Sequence, residues 1–217
     1  MARGIKSGMR FYSTLRSLHL YFGLFLSPFV LVFAASVFFL VHAWLPHWGA
    51  PAGVPPARTA AHLRLPAALE RLDGRARVDA VRGVLDQLGV AGEIEFLRHI
   101  PAEHRLVIPV SVPGRETTVD LNYQAGSAVV AARDTGLAEA FVYLHKSPGP
   151  HLAAIRGNWA MTQVWRVLAD VTVYVVLFLS LSGIYLWTVL RAERAIGLAM
   201  LLLGALSLFG VIYALCR

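Results

Sequence analysis

The sequence predicts an α+β membrane protein. It has three transmembrane helices, and a small helix-plus-antiparallel-sheet domain is inserted between the first and the second. Three observations predict this class. Hydrophobic types make up 57% of the 217 residues and charged types only 15%, well below the roughly 25% usual in soluble domains. The surplus apolar residues are gathered in three blocks. The stretch between the first two blocks instead shows helical and alternating patterns separated by turn residues. This distribution excludes a disordered tail, a coiled coil and an ordinary soluble enzyme.

Residues 1–17 read as a basic cytoplasmic N-terminus, with Arg3, Lys6, Arg10 and Arg16 and no acid. From Ser17 to Ala57 there is no Lys, Arg, Asp or Glu. Residues 18–45 form the predicted first span, about 42 Å long as a helix at about 1.5 Å per residue. That exceeds the roughly 30 Å hydrocarbon layer, so its ends reach the interfaces or the helix tilts. A secretory signal has a shorter apolar region and a small-residue cleavage site. This run ends instead in His42, Trp44, Pro46, His47 and Trp48. It reads as a retained helix with an aromatic belt at its outer end.

Residues 46–66 are rich in Pro, Gly and Ala and read as a linker. Residues 67–140 read as the inserted domain. Between Arg77 and Leu88, Val78, Val81, Leu85 and Leu88 recur at helical spacing, and Gly89 supplies a stop. Strands are predicted at 93–100, 105–112, 116–123 and 127–131. Pro113-Gly114 and Gln124-Ala-Gly126 mark the turns between the last three.

Residues 141–165 read as a return segment with an interfacial helix that begins the second helix near Ala160. The second span is 166–190, uncharged from Val171 onward. Residues 191–194 form a short cytoplasmic turn, and 195–216 form the third span. Spans two and three therefore read as an antiparallel hairpin. Ser180, Ser182 and Gly183, with Gly197, Gly204 and Gly210, mark close-packing faces.

The net charge is +7, from 20 Lys plus Arg against 13 Asp plus Glu. Residues 46–160 hold 12 bases and 11 acids and are nearly neutral. The excess flanks the membrane segments, which is the positive-inside pattern and argues against nucleic acid as a partner. It places the N-terminus in the cytoplasm and the 46–160 insert outside. In a bacterial cell that means the inner membrane, with a periplasmic domain. Cys216 is the only cysteine, so one chain builds no disulfide, four-thiolate zinc site or iron–sulfur cluster.

A family resemblance rests on spaced motifs. The helix, the strands and the closing Val119-Asp120-Leu121-Asn122-Tyr123-Gln124-Ala125-Gly126 resemble the small PepSY domain. The flanks resemble the PepSY-associated transmembrane helix family, through Leu15-Arg-Ser-Leu-His-Leu-Tyr-Phe-Gly23, Leu144-His145 and Ser182-Gly-Ile-Tyr-Leu-Trp187. Larger members of that family have four or more spans and include haem-containing reductases of ferric iron or ferric siderophores. With three spans, the full reductase pattern does not carry over. What the resemblance implies here is haem b and electron transfer.

The candidate haem-binding residues are His19, His42, His145 and His151. His19 and His42 lie at opposite ends of span one. They are about 34 Å apart along a helix and roughly 140° apart around it. One haem cannot take both from one helix, so they suit two sites, one per leaflet, or none. Spans two and three contain no histidine. Within the chain, His42 therefore has His145 or His151 as its partner, in the segment returning to the membrane. His19 needs a second copy, another subunit or an open iron position. An interfacial histidine is also commonly a solvated residue, and an aromatic belt accounts for every tryptophan. His47, His62, His99 and His104 read as surface residues, and a zinc site on His145 and His151 lacks a third ligand nearby.

Arg166 and Asp170, spaced i,i+4 near the hydrocarbon, read as a structural ion pair, with quinone or proton handling as the other reading. No flavin or nicotinamide glycine-rich fingerprint is present, so a quinol or a redox protein would donate electrons. No recognisable nucleophile elbow is present, and Asp120 reads as a sheet-edge or turn residue.

Two functions follow. The first is a haem b electron-transfer subunit, an oxidoreductase component related to ferric or siderophore reductases. It would work with another membrane subunit or a second copy and with a ferric chelate as acceptor. The second is a non-redox accessory protein that binds or regulates an exported partner through the PepSY-like domain.

Overall fold

The computed structural model describes residues 2–42, 56–66, 69–147, 154–190 and 194–216. His47, His151, Trp44, Trp48, residues 43–55 of the linker region and turn residues 191–193 lie outside the described residues. The elements run α1 (Ala2–Val41), β1 (Arg58–Ala60), α2 (Gly74–Gln87), β2 (Glu93–Ile94) and β3 (Arg98–Ile100). After a single 3₁₀ turn come β4 (Arg105–Val112), β5 (Arg115–Asn122), β6 (Ser127–Asp134), α3 (Leu137–Lys146), α4 (Ala160–Leu190) and α5 (Arg194–Leu215). Three stretches are long and apolar enough to cross a bilayer: Met9–Val41, Ala160–Leu190 and Arg194–Leu215. Together with the antiparallel sheet they make an α+β layout that is compatible with a membrane protein. Their exposed Leu31, Leu181, Leu206 and Phe209 are suited to lipid.

The chain divides into two compact units, Phe29–Asp170 and Met1–Pro28 with Val171–Arg217. The first is built on the sheet, whose order is β1-β6-β5-β4-β2, with β3 also pairing β4. All pairings are antiparallel. Alternation along each strand sends Leu106, Ile108 and Val110, then Val119 and Leu121, then Ala128 and Val130 into one core. The α2 stripe of Val78, Val81, Val84 and Leu85, followed by Leu88, is buried in the same core. One sheet face packed on one helix is a common way for an antiparallel sheet to cover its apolar side.

Local chemistry sets the element ends. Asp73 caps α2, accepting from the Gly74 N–H at 2.8 Å. At the other end Gly89, at φ 64°, turns the chain out. The Gly89 N–H reaches Asp86 O, and the Val90 N–H reaches Leu85 O, which together form a Schellman motif. Pro113-Gly114 closes the β4–β5 hairpin with Gly114 at φ 83°. In the β5–β6 turn, Asn122 Oδ1 accepts from the Gln124 and Ala125 N–H groups.

The structure corrects several boundaries. The strand expected at 93–100 is interrupted, and its register against β4 shifts by one residue between Ile94 and Arg98. The Glu95 N–H donates to Pro109 O at 3.0 Å, but Pro109 has no N–H to return, so the ladder breaks there. The strand expected at 127–131 continues to Asp134, where Arg115 donates to Asp134 at 2.7 Å. Within the linker, Arg58–Ala60 pairs with β6 and adds a further edge strand.

Glu93 is fully buried. One carboxylate oxygen accepts from the Gly157 N–H, the Asn158 N–H at 3.2 Å and Asn158 Nδ2 at 3.3 Å. The other accepts from the Trp159 N–H at 3.0 Å. Three successive backbone donors just before α4 are thereby satisfied by one side chain from β2. The positive helix end favours that negative charge. Asn158 Oδ1 in turn accepts from Arg82 and from the Ile94 N–H. Burial lowers the Arg82 pKa, while Glu93 opposes the shift.

In the second unit, the first part of α1 packs on α4. Phe22 meets Phe178 edge-on at 5.4 Å and Phe11 meets Tyr185 at 5.8 Å. Gly197 of α5 lies so close to the Trp187 indole of α4 that a Cβ there would collide with it.

Candidate functional site

Each unit holds one histidine on a serine. In the unit containing the chain termini, His19 Nδ1 lies 2.8 Å from Ser182 Oγ. The Ser182 hydroxyl donates to Leu179 O at 3.3 Å, one turn back in α4. In the sheet-bearing unit, His145 Nδ1 lies 3.0 Å from Ser36 Oγ. The Ser36 hydroxyl donates to Phe33 O at 2.6 Å. Both serines are buried, at 5% and 0% exposure.

The two arrangements have the same proton logic. A serine hydroxyl carries one hydrogen and two lone pairs. With that hydrogen directed at the carbonyl, the oxygen offers lone pairs to the ring. In each case Nδ1 is the ring nitrogen engaged by the serine, and Nε2 is the one turned away from it. Among the described residues, no hydrogen bond is made to Nε2 of His19 or His145. Fixing one ring nitrogen through a partner while the other faces a metal is how ligand histidines are commonly oriented.

The surroundings differ. His19 is half-buried, and a Cβ at Gly183 would stand 3.5 Å from its Cε1. A methyl group there would make an ordinary contact with the ring edge next to Nε2. His145 sits near the end of α3, exposed on one side, with Phe33 edge-on at 6.1 Å. Phe141, one turn earlier, stacks on Phe39 at 5.9 Å. The Trp165 indole N–H is shared between Leu144 O at 3.0 Å and Ser147 O at 3.1 Å, holding the last carbonyls of α3. Trp165 thus positions the His145 segment.

His42 has different partners. Its Nδ1 lies 2.9 Å from Phe38 O, and its ring stacks on Phe38 at 4.4 Å. Its expected partner His145 is held by Ser36 instead. The other expected partner, His151, lies outside the described residues. Arg166 and Asp170 are both exposed on α4. The expected ion pair between them is not formed among the described residues. His99 lies 3.2 Å from the Tyr123 hydroxyl, and His62 and His104 are exposed in turns at positive φ. Asp120 bonds Arg105 across the β4–β5 pair, and Glu103 bonds the same guanidinium. These two carboxylates raise the Arg105 pKa, with Asp120 the larger cause.

Sequence reasoning missed the two serines as histidine partners. Ser182 was singled out for helix packing and Ser36 not at all. The available signal was a hydroxyl inside an apolar run, a position where it must find a partner. A cavity beside α3 was missed as well. It has a volume of about 500 Å³ and is lined by Glu95, Tyr143, Lys146, Ser147 and Arg156, among others. Among the described residues, no group of three or more His, Cys, Asp or Glu is arranged to hold a metal ion.

Comparison with protein-family models, curated proteins and solved structures finds no match to the chain.

Proposed function

We propose that the chain is a haem b-binding electron-transfer subunit of a membrane oxidoreductase, with His19 and His145 as iron ligands in separate sites. The observation that carries this is the repeated histidine–serine–carbonyl arrangement. It engages Nδ1 of both rings with a serine and leaves Nε2 as the nitrogen available to iron. The residues fit haem on ligand chemistry, because a neutral imidazole with its second nitrogen hydrogen-bonded is an ordinary axial ligand. Bound haem b would supply a one-electron iron couple. The chain's own residues would orient the ligands through Ser182 and Ser36, and Gly183 and Phe33 would shape the ring surroundings. His42 is a further ligand candidate, with Phe38 O fixing its Nδ1.

The remaining parts of the reading rest on sequence. The basic residues before the first span support an N-terminus in the cytoplasm of a bacterial inner membrane and a periplasmic 46–160 segment. The PepSY-like motifs support kinship with ferric and siderophore reductases. A quinol or redox protein is then the donor, and a ferric chelate the acceptor. A second copy of the chain or another membrane subunit would complete the iron coordination. The accessory reading, in which the PepSY-like domain binds an exported partner, draws its support from the cavity beside α3.

The test is an absorbance spectrum of gently solubilised full-length protein, oxidised and dithionite-reduced, with haem and iron assayed on the same sample. A reduced b-type spectrum is expected. His19→Ala and His145→Ala should each lower the haem content. Colourless, iron-free protein that also fails to take up added haem would overturn the haem reading and leave the accessory one.

A further inference from the structure

Helix α4 carries two charges that the haem reading does not use. Arg166 and Asp170 are exposed, and neither makes a hydrogen bond or an ion pair among the described residues. The order of the two explains why their i,i+4 spacing is not enough. The base precedes the acid, which is the weaker arrangement for a pair within one helix.

Their depth makes the lack of partners costly. The 31 residues of α4 measure about 46 Å at about 1.5 Å per residue, against a hydrocarbon layer of about 30 Å. The uncharged stretch from Val171 to Leu190 fills that layer by itself. Asp170 therefore meets the edge of the hydrocarbon, and Arg166 stands about 6 Å farther out. A charge at that depth calls for a partner of opposite sign.

The face that bears them has the pattern of a helix–helix seam. Arg166, Asp170, Val173, Leu177, Ser180 and Ile184 follow one another at alternating steps of four and three residues, and all six are exposed. This is the spacing of a heptad seam between two helices. The buried Thr172, Ser182 and Leu186 lie on the opposite side of α4, at about 100° per residue. The register of a single helix fixes both stripes. Ser180 is small enough to let a second helix come close.

Charge complementarity identifies what covers the seam. A lipid headgroup has the wrong order. With its phosphate on Arg166, the groups next towards the hydrocarbon are glycerol esters, which bring no cation to Asp170. A face with both signs one turn apart is instead complementary to itself. Two copies in one membrane share a topology, so their α4 helices run the same way. A two-fold axis between them then supplies both missing partners in one contact.

We infer that α4 packs in parallel on α4 of a second copy of this chain, with Arg166 of each copy paired to Asp170 of the other. The two reciprocal pairs set the register of the seam, as polar residues do in coiled coils. The inference does not rest on the haem reading, and its test needs no haem.

Full-length protein is labelled at Cys216, its one cysteine and an exposed one, with a donor dye in one sample and an acceptor in another. Both are reconstituted into vesicles of phosphatidylethanolamine and phosphatidylglycerol, and energy transfer is followed as lipid is added. Transfer in the parent should persist on dilution and be competed away by unlabelled parent. Arg166→Asp puts two acids on the seam and Asp170→Arg two bases, so each variant should associate with itself about tenfold or more weakly. Mixing the two variants should restore parental transfer, and the chain carrying both changes should associate with itself like the parent. Loss of packing in either variant would not produce that rescue. Asp170→Asn, a neutral replacement of the same shape, should also weaken association. A parent that is monomeric in lipid, as expected if another membrane protein or lipid covers the seam, would overturn the inference. So would parental affinity in Asp170→Asn, or no rescue in a mixture of variants with unchanged circular dichroism spectra.

Discussion

Replacing Glu93 with Ala should destabilise the sheet-bearing unit by about 3–5 kcal/mol, the range for breaking a buried charged pairing. The carboxylate accepts four hydrogen bonds, from Gly157, Asn158 (backbone and side chain) and Trp159. Bonds to a charged group contribute about 1.5–3 kcal/mol each, so four independent ones would give about 6–12. They are not independent, because three donors share one oxygen and water can enter the space left by the side chain. That lowers the expectation to the stated range. Glu93→Gln keeps one acceptor oxygen but turns an NH₂ towards a donor, and should cost about 1–3 kcal/mol. The assay is denaturant unfolding of the full chain in mild detergent, followed by tryptophan fluorescence, to which Trp159 contributes. The Ala variant should lose more stability than the Gln variant. An Ala variant within about 1 kcal/mol of the parent, or a Gln variant less stable than Ala, would refute the reasoning that the buried carboxylate holds the start of α4.

Gly92→Ala should be among the most damaging single-methyl additions. The new Cβ would stand 2.7 Å from Val110 Cγ1 and 2.8 Å from Ser111 O, at a φ of 145°. A loss of about 2 kcal/mol or more, read as a lower denaturation midpoint, is expected. Tyr143 has a folded pKa raised above its usual 10. Its protonated form is therefore favoured by folding, and that contribution is complete below pH 10 and is lost as pH rises through the higher folded value. Tyr143→Phe should flatten the fall in stability measured on the alkaline side of pH 10. Ser182→Ala and Ser36→Ala should each leave the helices intact but free a ring from its Nδ1 partner. In haem-loaded protein, titrated optically, each should shift a midpoint potential or weaken haem retention. Unchanged behaviour in both would argue against the serines as ligand-orienting groups.

Features encoded by neighbours along the chain were legible. The apolar runs around Phe25, Val175 and Leu202 need only the thickness of a bilayer to be read as spans. The Val78–Val81–Leu85–Leu88 stripe and the Gly89 stop describe a helix with one buried side. Pro113-Gly114 and Gly126 carry their turn geometry in their own backbone preferences. The β1 strand was not legible, because Arg58–Ala60 looks like linker until β6 offers it an edge. The break after Ile94 was equally hidden, since its cause, Pro109, sits on another strand. At the candidate sites the histidines were visible as residue types, whereas their partners were not. Ser36 lies 109 positions from His145, and Ser182 lies 163 from His19.

The sequence by itself determined the class of protein: three membrane-length apolar helices, a charge distribution placed around them, and an inserted helix and antiparallel sheet. Hydrophobic periodicity and turn preference act over a few residues, so a linear reading captures them. Only the tertiary structure decided which buried polar atoms meet. It put Glu93 under three N–H groups of the α4 entry, set each of two histidines on a serine, and left Arg166 and Asp170 apart despite their favourable spacing. It also gathered Tyr143, Ser147 and Arg156 around one cavity. Hydrogen bonds and ion pairs depend on distances of a few ångströms between side chains remote in the chain, and folding alone sets those distances.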